Sequence, residues 1–475
     1  MLRNLFAGRF GSVRTLTVAG SLIFGSAGVA GVLAQAPMVD ITPGPGTIAI
    51  TGGKLLTITH GVIENSVVLI EGGKITAVGT AASVKVPKGA TIVDAKGMTV
   101  YPGLIDSETR LGLSEIASDQ MTNDTVELSD EIFPQMHVYD AFHAESEHIP
   151  ITRFNGITNA IVAPAETDTI PGQASFIQLA GRDRDSMLMV KDVALSMNFG
   201  QAPKRGGRGE GAGPAGGRYP STRMGEITQM RQALLDAQEY MARRGRPAAA
   251  SGDEGSATSG GGRGSAGGAG GASGSSGSAF NLRNEALIPY LKGEKPVVLG
   301  AYDGHDVETA MAFAQEFHLK VILSHVTRAQ DVLDKIASYH VPVIVGPIYD
   351  LPEANERYDA VYSVPGELQK RGVKVILASY NVSNSRNLPY SAGFAVAYGM
   401  PYDEAMKSIT LNPAEAFGLG DKLGSLDAGK IANVVIADGD PLDVRTSVKQ
   451  VYINGVAIPM ETRQTKLRDE YWPKK

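Results

Sequence analysis

The sequence contains no cysteine and has no marked excess of charge of either sign. The lack of cysteine excludes disulfides, thiolate-bound zinc, iron–sulfur clusters, a cysteine nucleophile and lipid attachment to cysteine. The 44 Lys and Arg residues stand against 50 Asp and Glu residues, which gives a net charge of −6. Without a basic excess or a Lys/Arg run, neither a nucleic-acid partner nor an anionic membrane surface is indicated. At about 150 residues per domain, 475 residues allow two or three domains with sizeable cores.

Residues 1–36 have the pattern of an export signal. Three arginines are followed by an apolar stretch from Leu16 to Leu33, and Ala34-Gln35-Ala36 matches the small-x-small pattern of signal-peptidase sites. A buried N-terminal helix is one alternative, which the glycines of this stretch disfavour. An uncleaved membrane anchor is the other. We therefore predict an exported protein, periplasmic or extracellular, with no stable membrane span after signal cleavage.

The two ends of the remaining chain are rich in short β-type runs separated by turns. In residues 46–100 the runs are separated by Gly-Gly pairs at 52–53 and 72–73. The same pattern returns in residues 422–460, where Asn454-Gly455 joins two β-type runs as a hairpin. Because neither piece is long enough to close a core alone, we predict one small composite β-sandwich domain built from both, with a tail at 461–475.

Between these ends, in residues 101–421, apolar strands alternate with amphipathic helices. Runs rich in β-branched residues occur at Ala160–Ala163, Pro296–Leu299, Lys320–Leu323, Pro342–Val345 and Lys374–Leu377. Helical segments such as Asp306–Phe317 separate the later runs. This alternation predicts a parallel sheet buried on both faces. Enclosed by the two halves of a β domain, it favours an α/β fold of the (β/α)8 TIM-type barrel class over an open sheet.

A glycine-rich insert at about 200–282 interrupts the barrel pattern. Glycine and serine dominate residues 200–217 and 251–279, so we predict flexible linkers there. Between the two tracts, Arg223–Arg244 carries an apolar stripe at helical spacing. We predict an amphipathic helix that packs on the barrel or on a partner.

The segment Tyr101–Asp106 precedes the barrel pattern and the segments Ile409–Ala416 and Leu423–Lys430 end it, and both borders resemble motifs of the amidohydrolase superfamily. The first, Tyr101-Pro102-Gly103-Leu104-Ile105-Asp106, is similar to the start of the motif Pro-Gly-Leu-Ile-Asp-x-His-x-His, which supplies two metal ligands in that family. The second runs from Ile409 to Ala416 and continues from Leu423 to Lys430, and it is similar to the family's passage from barrel to β domain. The resemblance covers most of residues 46–460 and is greatest to the imidazolonepropionase and prolidase-like group.

The resemblance implies hydrolysis of non-peptide carbon–nitrogen bonds by water bound to one or two divalent metals. The family positions, however, are mostly substituted. Glu108 and Arg110 stand at the two histidines of the first strand, and Tyr302 lies in the segment of the fifth-strand ligand. His325 keeps the sixth-strand histidine, Asn381 is assigned to the eighth-strand aspartate that handles the proton, and no lysine is placed on strand four.

Elementary chemistry then argues against the family reaction. Asp106, Glu108 and Arg110 alternate along one strand, so we expect all three at the barrel mouth. Arg110 carries a permanent positive charge where a metal would sit, and it can pair with Glu108, Asp106 or a neighbouring acid. Asn381 cannot act as a general base. The predicted pocket residues are Asp106, Glu108, Arg110, Tyr302, His325 and Asn381.

We therefore predict a catalytically impaired member of the family that holds no zinc. It would bind a small-molecule ligand or pair with an intact amidohydrolase, and it could form a homo-oligomer. The alternative is an active hydrolase with a variant mononuclear zinc site made of Glu108, Asp303, His305 and His325. Against it, Asp303 and His305 lie in a segment typical of a helix-capping turn. The position of His325 is equally consistent with a packed core residue and with a metal ligand.

Overall fold

The computed structural model describes residues 38–116, 118–200, 220–244, 280–349, 351 and 357–472. The predicted export signal and the two glycine-rich tracts of the insert lie outside these residues, apart from Gly200.

The strands of the described chain belong to a barrel and to a β domain. Those of the β domain are β1 (Thr47–Thr51), β2 (Lys54–Leu56), β3 (Val62–Ile63), β4 (Ser66–Glu71), β5 (Lys74–Thr80), β6 (Thr91–Asp94), β7 (Thr99–Pro102), β16 (Val434–Ala437), β17 (Val448–Ile453) and β18 (Val456–Ile458). Those of the barrel are β8 (Leu104–Thr109), β9 (Ile157–Val162), β10 (Gly172–Gln178), β11 (Leu188–Asn198), β12 (Val297–Gly300), β13 (Val321–Ser324), β14 (Val343–Val345) and β15 (Val375–Leu377).

The helices lie mostly between the barrel strands. They are α1 (Val138–Ala141), α2 (His148–Arg153), α3 (Arg184–Met187), α4 (Arg223–Arg244), α5 (Leu282–Leu291), α6 (Gly304–Glu316), α7 (Leu333–Ser338), α8 (Ala360–Lys370), α9 (Leu388–Ala397), α10 (Tyr402–Ser408), α11 (Leu411–Ala416) and α12 (Arg463–Tyr471). Within the described ranges, none of them has the length and apolar composition needed to cross a membrane.

Strands β8 to β15 form the predicted barrel, each paired with the next along the chain. The sheet nearly closes where β15 lies beside β8. There the Ser107 hydroxyl donates to the Leu377 carbonyl at 2.9 Å, and the Tyr380 N–H donates to the Glu108 carbonyl at 2.8 Å. Isoleucines of β8, β9, β13, β14 and β15 fill the interior together with Phe176 of β10. The (β/α)8 TIM-type prediction is confirmed, and residues that end these strands are gathered at the barrel mouth.

One barrel strand runs against the others, contrary to the predicted all-parallel sheet. Strand β10 is antiparallel to both β9 and β11. The chain between Val162 and Gly172 is shorter than the dozen or more residues that a helical crossover to a parallel strand needs. It therefore turns back directly, and the sequence patterns predict neither β10 nor β11.

The β domain is composite, as predicted. Strand β7 pairs antiparallel with β16, which places Val100 opposite Ile436. One sheet has the order β18-β17-β16-β7-β2-β3 and the other β5-β4-β1-β6. Side chains from both chain segments, including Ile50, Val68 and Val434, form one buried cluster between them.

Helix α4 spans the predicted residues Arg223–Arg244 and packs on the barrel. Met230, Leu234 and Ala237 of the predicted stripe are buried. Arg231 donates two hydrogen bonds to Glu316 at the end of α6, both at 2.9 Å. The helix therefore belongs to the barrel's outer layer.

Candidate functional site

An arginine held between two glutamates occupies the end of the first barrel strand. Arg110 Nη2 lies 2.7 Å from Glu166 Oε2 and 3.3 Å from Glu108 Oε1. The exposed fractions of the side chains are 6% for Arg110, 9% for Glu108 and 36% for Glu166. Glu166 comes from the loop after β9 and has no counterpart among the predicted site residues. The prediction that Arg110 pairs with Glu108 or a neighbouring acid agrees with this geometry.

Glu108 also joins the far side of the barrel. Its Oε2 accepts a hydrogen bond from the Ser324 hydroxyl at 2.6 Å, and that hydroxyl lies 2.9 Å from the Tyr380 hydroxyl. Ser324 ends β13, and Tyr380 follows β15. One carboxylate therefore ties the ends of strands one, six and eight together.

His325 lies between two tyrosine rings beside this carboxylate. The ring centroid of His325 is 4.7 Å from that of Tyr302 and 4.1 Å from that of Tyr380. Its Nε2 is 3.7 Å from Glu108 Oε1, which is too long for a hydrogen bond. Neither ring nitrogen has a hydrogen-bond partner within the described ranges, although the side chain is only 2% exposed. Such unpaired buried polar atoms are uncommon and often mark functional sites.

The backbone at this cluster is strained. His325 has a φ of 72° and Tyr380 a φ of 54°, both in the left-handed region that residues with a side chain rarely adopt. The Tyr380 hydroxyl also accepts the backbone N–H of His325 at 3.0 Å. Strain of this kind persists where the surroundings over-determine it, often at ligand sites.

Asp106 belongs to a second network next to the first. Its carboxylate accepts hydrogen bonds from the Ser379 N–H at 3.0 Å, the Ser379 hydroxyl at 2.5 Å and the Ser385 hydroxyl at 2.8 Å. Burial raises the pKa of Asp106 to about 6, against the opposing effect of these hydrogen bonds. Asp106 thus joins strand one to the segment after strand eight and does not contact Arg110.

The charges at the mouth follow from burial and pairing. Burial alone would raise the pKa of both glutamates, but Arg110 lowers that of Glu166 to about 2. His325 and Arg110 together hold the pKa of Glu108 below its ordinary value. Burial also raises the pKa of Tyr302 and Tyr380 far above neutrality. At neutral pH the cluster therefore has two carboxylates, one guanidinium and two neutral phenols.

These residues do not fit a divalent metal. Arg110 has no lone pair to donate, and its charge lies within 3.3 Å of the oxygen of Glu108 that would have to bind the ion. Among the described residues, no group of three or more His, Cys, Asp or Glu side chains is arranged so that it could hold a metal ion. Asp303 caps α6 by accepting the Asp306 N–H at 2.9 Å, and His305 is exposed. The variant ligand set of Glu108, Asp303, His305 and His325 is therefore not assembled.

The structure also places Asn381 outside the cluster. Its side-chain oxygen accepts the backbone N–H groups of Ser383 and Asn384 at 2.8 and 3.1 Å, and the residue is exposed. The preceding residue, Tyr380, is buried and contacts Ser324 and His325. Tyr380 is thus the residue after strand eight that faces the barrel mouth, and the prediction for Asn381 is wrong.

Comparison with known proteins agrees with this fold and these motifs. The amidohydrolase family model matches residues 290–458. The amidohydrolase tasK of Hapsidospora irregularis is 28% identical over 409 residues, which make up 82% of this chain and 39% of that protein. An imidazolonepropionase of Thermoplasma volcanium is 37% identical over 105 residues, 20% of this chain and 26% of that protein. The structure of an amidohydrolase from Thermotoga maritima MSB8 superposes with a TM-score of 0.74 and 26% identity, covering 86% of this chain and 99% of that one.

These matches support membership of the amidohydrolase superfamily. The match of this chain spans about two fifths of the length of tasK and about a quarter of the imidazolonepropionase. The solved structure of molinate hydrolase shares the fold, with a TM-score of 0.53 and 15% identity over 91% of this chain and 98% of that one.

Within this barrel, the sequence predictions located part of the site. The structure brings Glu108, Arg110, Tyr302 and His325 together, as predicted. Glu166, Ser324 and Tyr380 were not among the predicted residues. Ser324 directly precedes His325, and Tyr380 directly precedes Asn381. Their only signal in the sequence was therefore that each is adjacent to a predicted residue. No sequence signal pointed to Glu166.

Proposed function

We propose that this member of the amidohydrolase superfamily binds a small polar molecule at the barrel mouth and lacks the metal-dependent hydrolysis implied by its family. The observation that supports the proposal is the ion pair of Arg110 with Glu108 and Glu166. The guanidinium takes the place of an imidazole ligand and supplies the positive charge that a metal would supply. The carboxylates are thereby compensated without a metal ion.

The hydrogen-bonding groups at the mouth define the class of ligand. Arg110 Nη1 and both ring nitrogens of His325 are buried and have no hydrogen-bond partner within the described part of the chain. Arginine can only donate, and a neutral imidazole offers one donor and one acceptor. A ligand carbonyl oxygen would accept from these donors, and Tyr302 provides an aromatic face beside them.

The charges at the barrel mouth further restrict the class of ligand. Glu108 and Glu166 are ionised and Arg110 carries one permanent positive charge, so the carboxylates around Arg110 exceed the permanent cation by one negative charge. That excess disfavours a carboxylate or phosphate ligand. We therefore infer a neutral carbonyl compound of the amide, lactam or urea type, which is also the bond class that the lineage implies.

The metal content of the purified protein tests the proposal that it lacks metal-dependent hydrolysis. The protein is expressed with added zinc, dialysed against metal-free buffer and measured by inductively coupled plasma mass spectrometry. We expect far less than one zinc per chain. About one tightly bound zinc per chain, together with hydrolysis of an amide or urea, would replace this proposal with an active variant enzyme.

Ligand binding tests the second part. Thermal-shift and calorimetric titrations compare neutral amides, lactams and ureas with carboxylates of similar size. We expect binding of the neutral class and its loss in Arg110→Lys, which keeps the charge but not the planar fork of donors. Arg371→Lys, on an exposed ion pair with Asp334 and Glu367, serves as the control that keeps binding. Preferential binding of carboxylates would contradict the assignment of the ligand class.

A further inference from the structure

His137 is held by a carboxylate of a barrel strand. Its Nδ1 lies 2.6 Å from Asp192 Oδ1, and the exposed fractions of the two side chains are 29% and 20%. At this distance Nδ1 carries the ring proton and donates it to the carboxylate, so Nε2 of the uncharged ring is an acceptor. Nε2 makes no hydrogen bond to the described residues. Imidazoles oriented in this way recur at sites where the second nitrogen binds a ligand.

The backbone is irregular on the strand that supplies the carboxylate. The pairing register shifts between residues 174–176 of β10 and 190–194 of β11, and Asp192 lies among the extra residues of β11. Such bulges redirect side chains and are common next to functional sites. His137 directly precedes α1, and its side chain makes no capping hydrogen bond to that helix. Its ring is therefore available to pair with Asp192.

His137 lines a cleft of about 210 Å³ that is partly open to solvent. Asp192 is not among the lining residues, so the ring lies between that carboxylate and the cleft. Apolar side chains from the loops after β8 and β9, from α1 and from the residue before His137 form much of the wall, among them Leu113, Pro164, Val138 and Met136. Sites for drug-sized ligands have volumes of roughly 300–1,000 Å³, so this smaller cleft suits a small organic molecule.

The polar side chains that line the cleft offer acceptors to a ligand. Asp124 and Glu127 are carboxylates, and a carboxylate can accept about four hydrogen bonds, so contacts within the protein leave acceptor sites for a ligand. The Thr125 hydroxyl and the Gln173 amide nitrogen already donate to acceptors outside the lining, at 2.6 and 2.8 Å. No lysine or arginine is among the described residues that line the cleft. The lining is therefore complementary to a donor, and above all to a cationic one.

We propose that the cleft beside His137 binds a small organic cation, a primary ammonium compound with a compact apolar body. The ammonium group would donate to His137 Nε2 and to the carboxylates of the lining, and the apolar wall would contact the body. Neither Glu108, Arg110 nor Glu166 is among the lining residues, so the site is distinct from the ion pair at the barrel mouth.

Calorimetric titration of the full-length protein with benzylamine tests the ligand class. The measurement is made at about pH 8, where an ordinary imidazole is uncharged. Benzyl alcohol has nearly the same shape without the charge, and we expect it to bind at least about tenfold more weakly, because hydrogen bonds that involve a charged group are the stronger ones. Absence of benzylamine binding, or equal affinities for the two compounds, would overturn the proposal.

Photo-labelling of the wild-type protein locates the bound amine. Irradiation with 4-azidobenzylamine, followed by mass spectrometry of the peptides, should place the adduct in the segments that contain Leu113 or His137. Adducts confined to other segments would contradict the assigned site.

Two histidine variants make the test specific. His137→Phe keeps an aromatic ring without its nitrogens, and it should weaken benzylamine binding at least about tenfold. His60→Phe is the matched control, because His60 also pairs with an aspartate, Asp427, but is 75% exposed, and it should keep the wild-type affinity. Unchanged affinity in His137→Phe would refute the role of the imidazole. If that variant fails to fold, the comparison with benzyl alcohol and the labelled peptides still decide the question.

Discussion

Arg110 and Glu166 are joined by a contact of 2.7 Å across 56 residues of sequence. The contact links the end of the first barrel strand to the loop after the second. With Glu108 on its other side, the guanidinium is held between two carboxylates at the position where the family resemblance implies a histidine ligand. The barrel mouth is thus organised around an ion pair, and the stability of the barrel should depend on it.

We expect Arg110→Ala to lower the free energy of unfolding by about 3 kcal/mol, because it leaves two carboxylates uncompensated. Removing one partner of a buried ion pair typically has an effect of about 3–5 kcal/mol. The partial exposure of Glu166 places this case at the lower end. Urea denaturation followed by circular dichroism measures the change.

Arg371→Ala is the matched control for that measurement. Arg371 also contacts two carboxylates, Asp334 and Glu367, but on the surface. Exposed pairs contribute less than about 1 kcal/mol, so this variant should remain close to wild type. Equal losses for the two variants would show that the Arg110 ion pair is no more important than a surface contact.

A second prediction concerns zinc. The double variant Glu108→His with Arg110→His should gain measurable zinc affinity, because two imidazoles join His325 and the guanidinium is removed. Adding Tyr380→Asp should tighten zinc further, since Tyr380 faces His325 at the mouth. Adding Asn381→Asp should not, because that side chain caps an exposed turn. Equilibrium dialysis with elemental analysis compares the variants, and an Asn381 effect larger than that of Tyr380 would contradict the structural assignment.

A third prediction is a pH dependence due to Asp106. Its pKa is about 6 in the folded protein and near 3.8 in an unfolded chain, so between these values the folded state binds more protons. The contribution of this group to stability therefore falls as the pH rises from about 4 to about 6, by roughly 3 kcal/mol, and stays lost above that.

The variant Asp106→Asn isolates this effect because the amide does not titrate. The free energy of unfolding of wild type minus that of the variant should decrease from pH 4 to pH 6 and then level off. Taking the difference removes the opposite trend of Glu108 and Glu166, whose lowered pKa values make the protein less stable in acid. A difference that is constant with pH would show that Asp106 does not titrate as predicted.

The fourth prediction concerns export. Signal cleavage after Ala36 would give a mature chain that begins at Pro37. N-terminal sequencing of protein from the periplasm or culture medium of the native host measures this directly. Intact Met1 on protein from the cytoplasm would contradict the prediction.

The sequence alone determined the fold class and several element boundaries, because those depend on local patterns. The helix Arg223–Arg244 and the hairpin at Asn454-Gly455 lie where they were predicted, since side-chain periodicity and turn chemistry act over a few residues. The two motifs predicted the similarity to amidohydrolases in the same way, because each is a short run of consecutive residues. The composite β domain followed because neither chain end could bury a core alone.

Only the tertiary structure decided the direction of β10 and the composition of the site. The connection before β10 is too short for a helical crossover, so β10 must run antiparallel to β9. This argument can be made only once β10 is known to be a strand. Glu166 reaches Arg110 through barrel geometry that no local pattern encodes. Tyr380 has a positive φ, and its ring, not the side chain of Asn381, faces the barrel mouth. Counting alternate residues along a strand cannot predict this, because that count assumes a regular extended backbone.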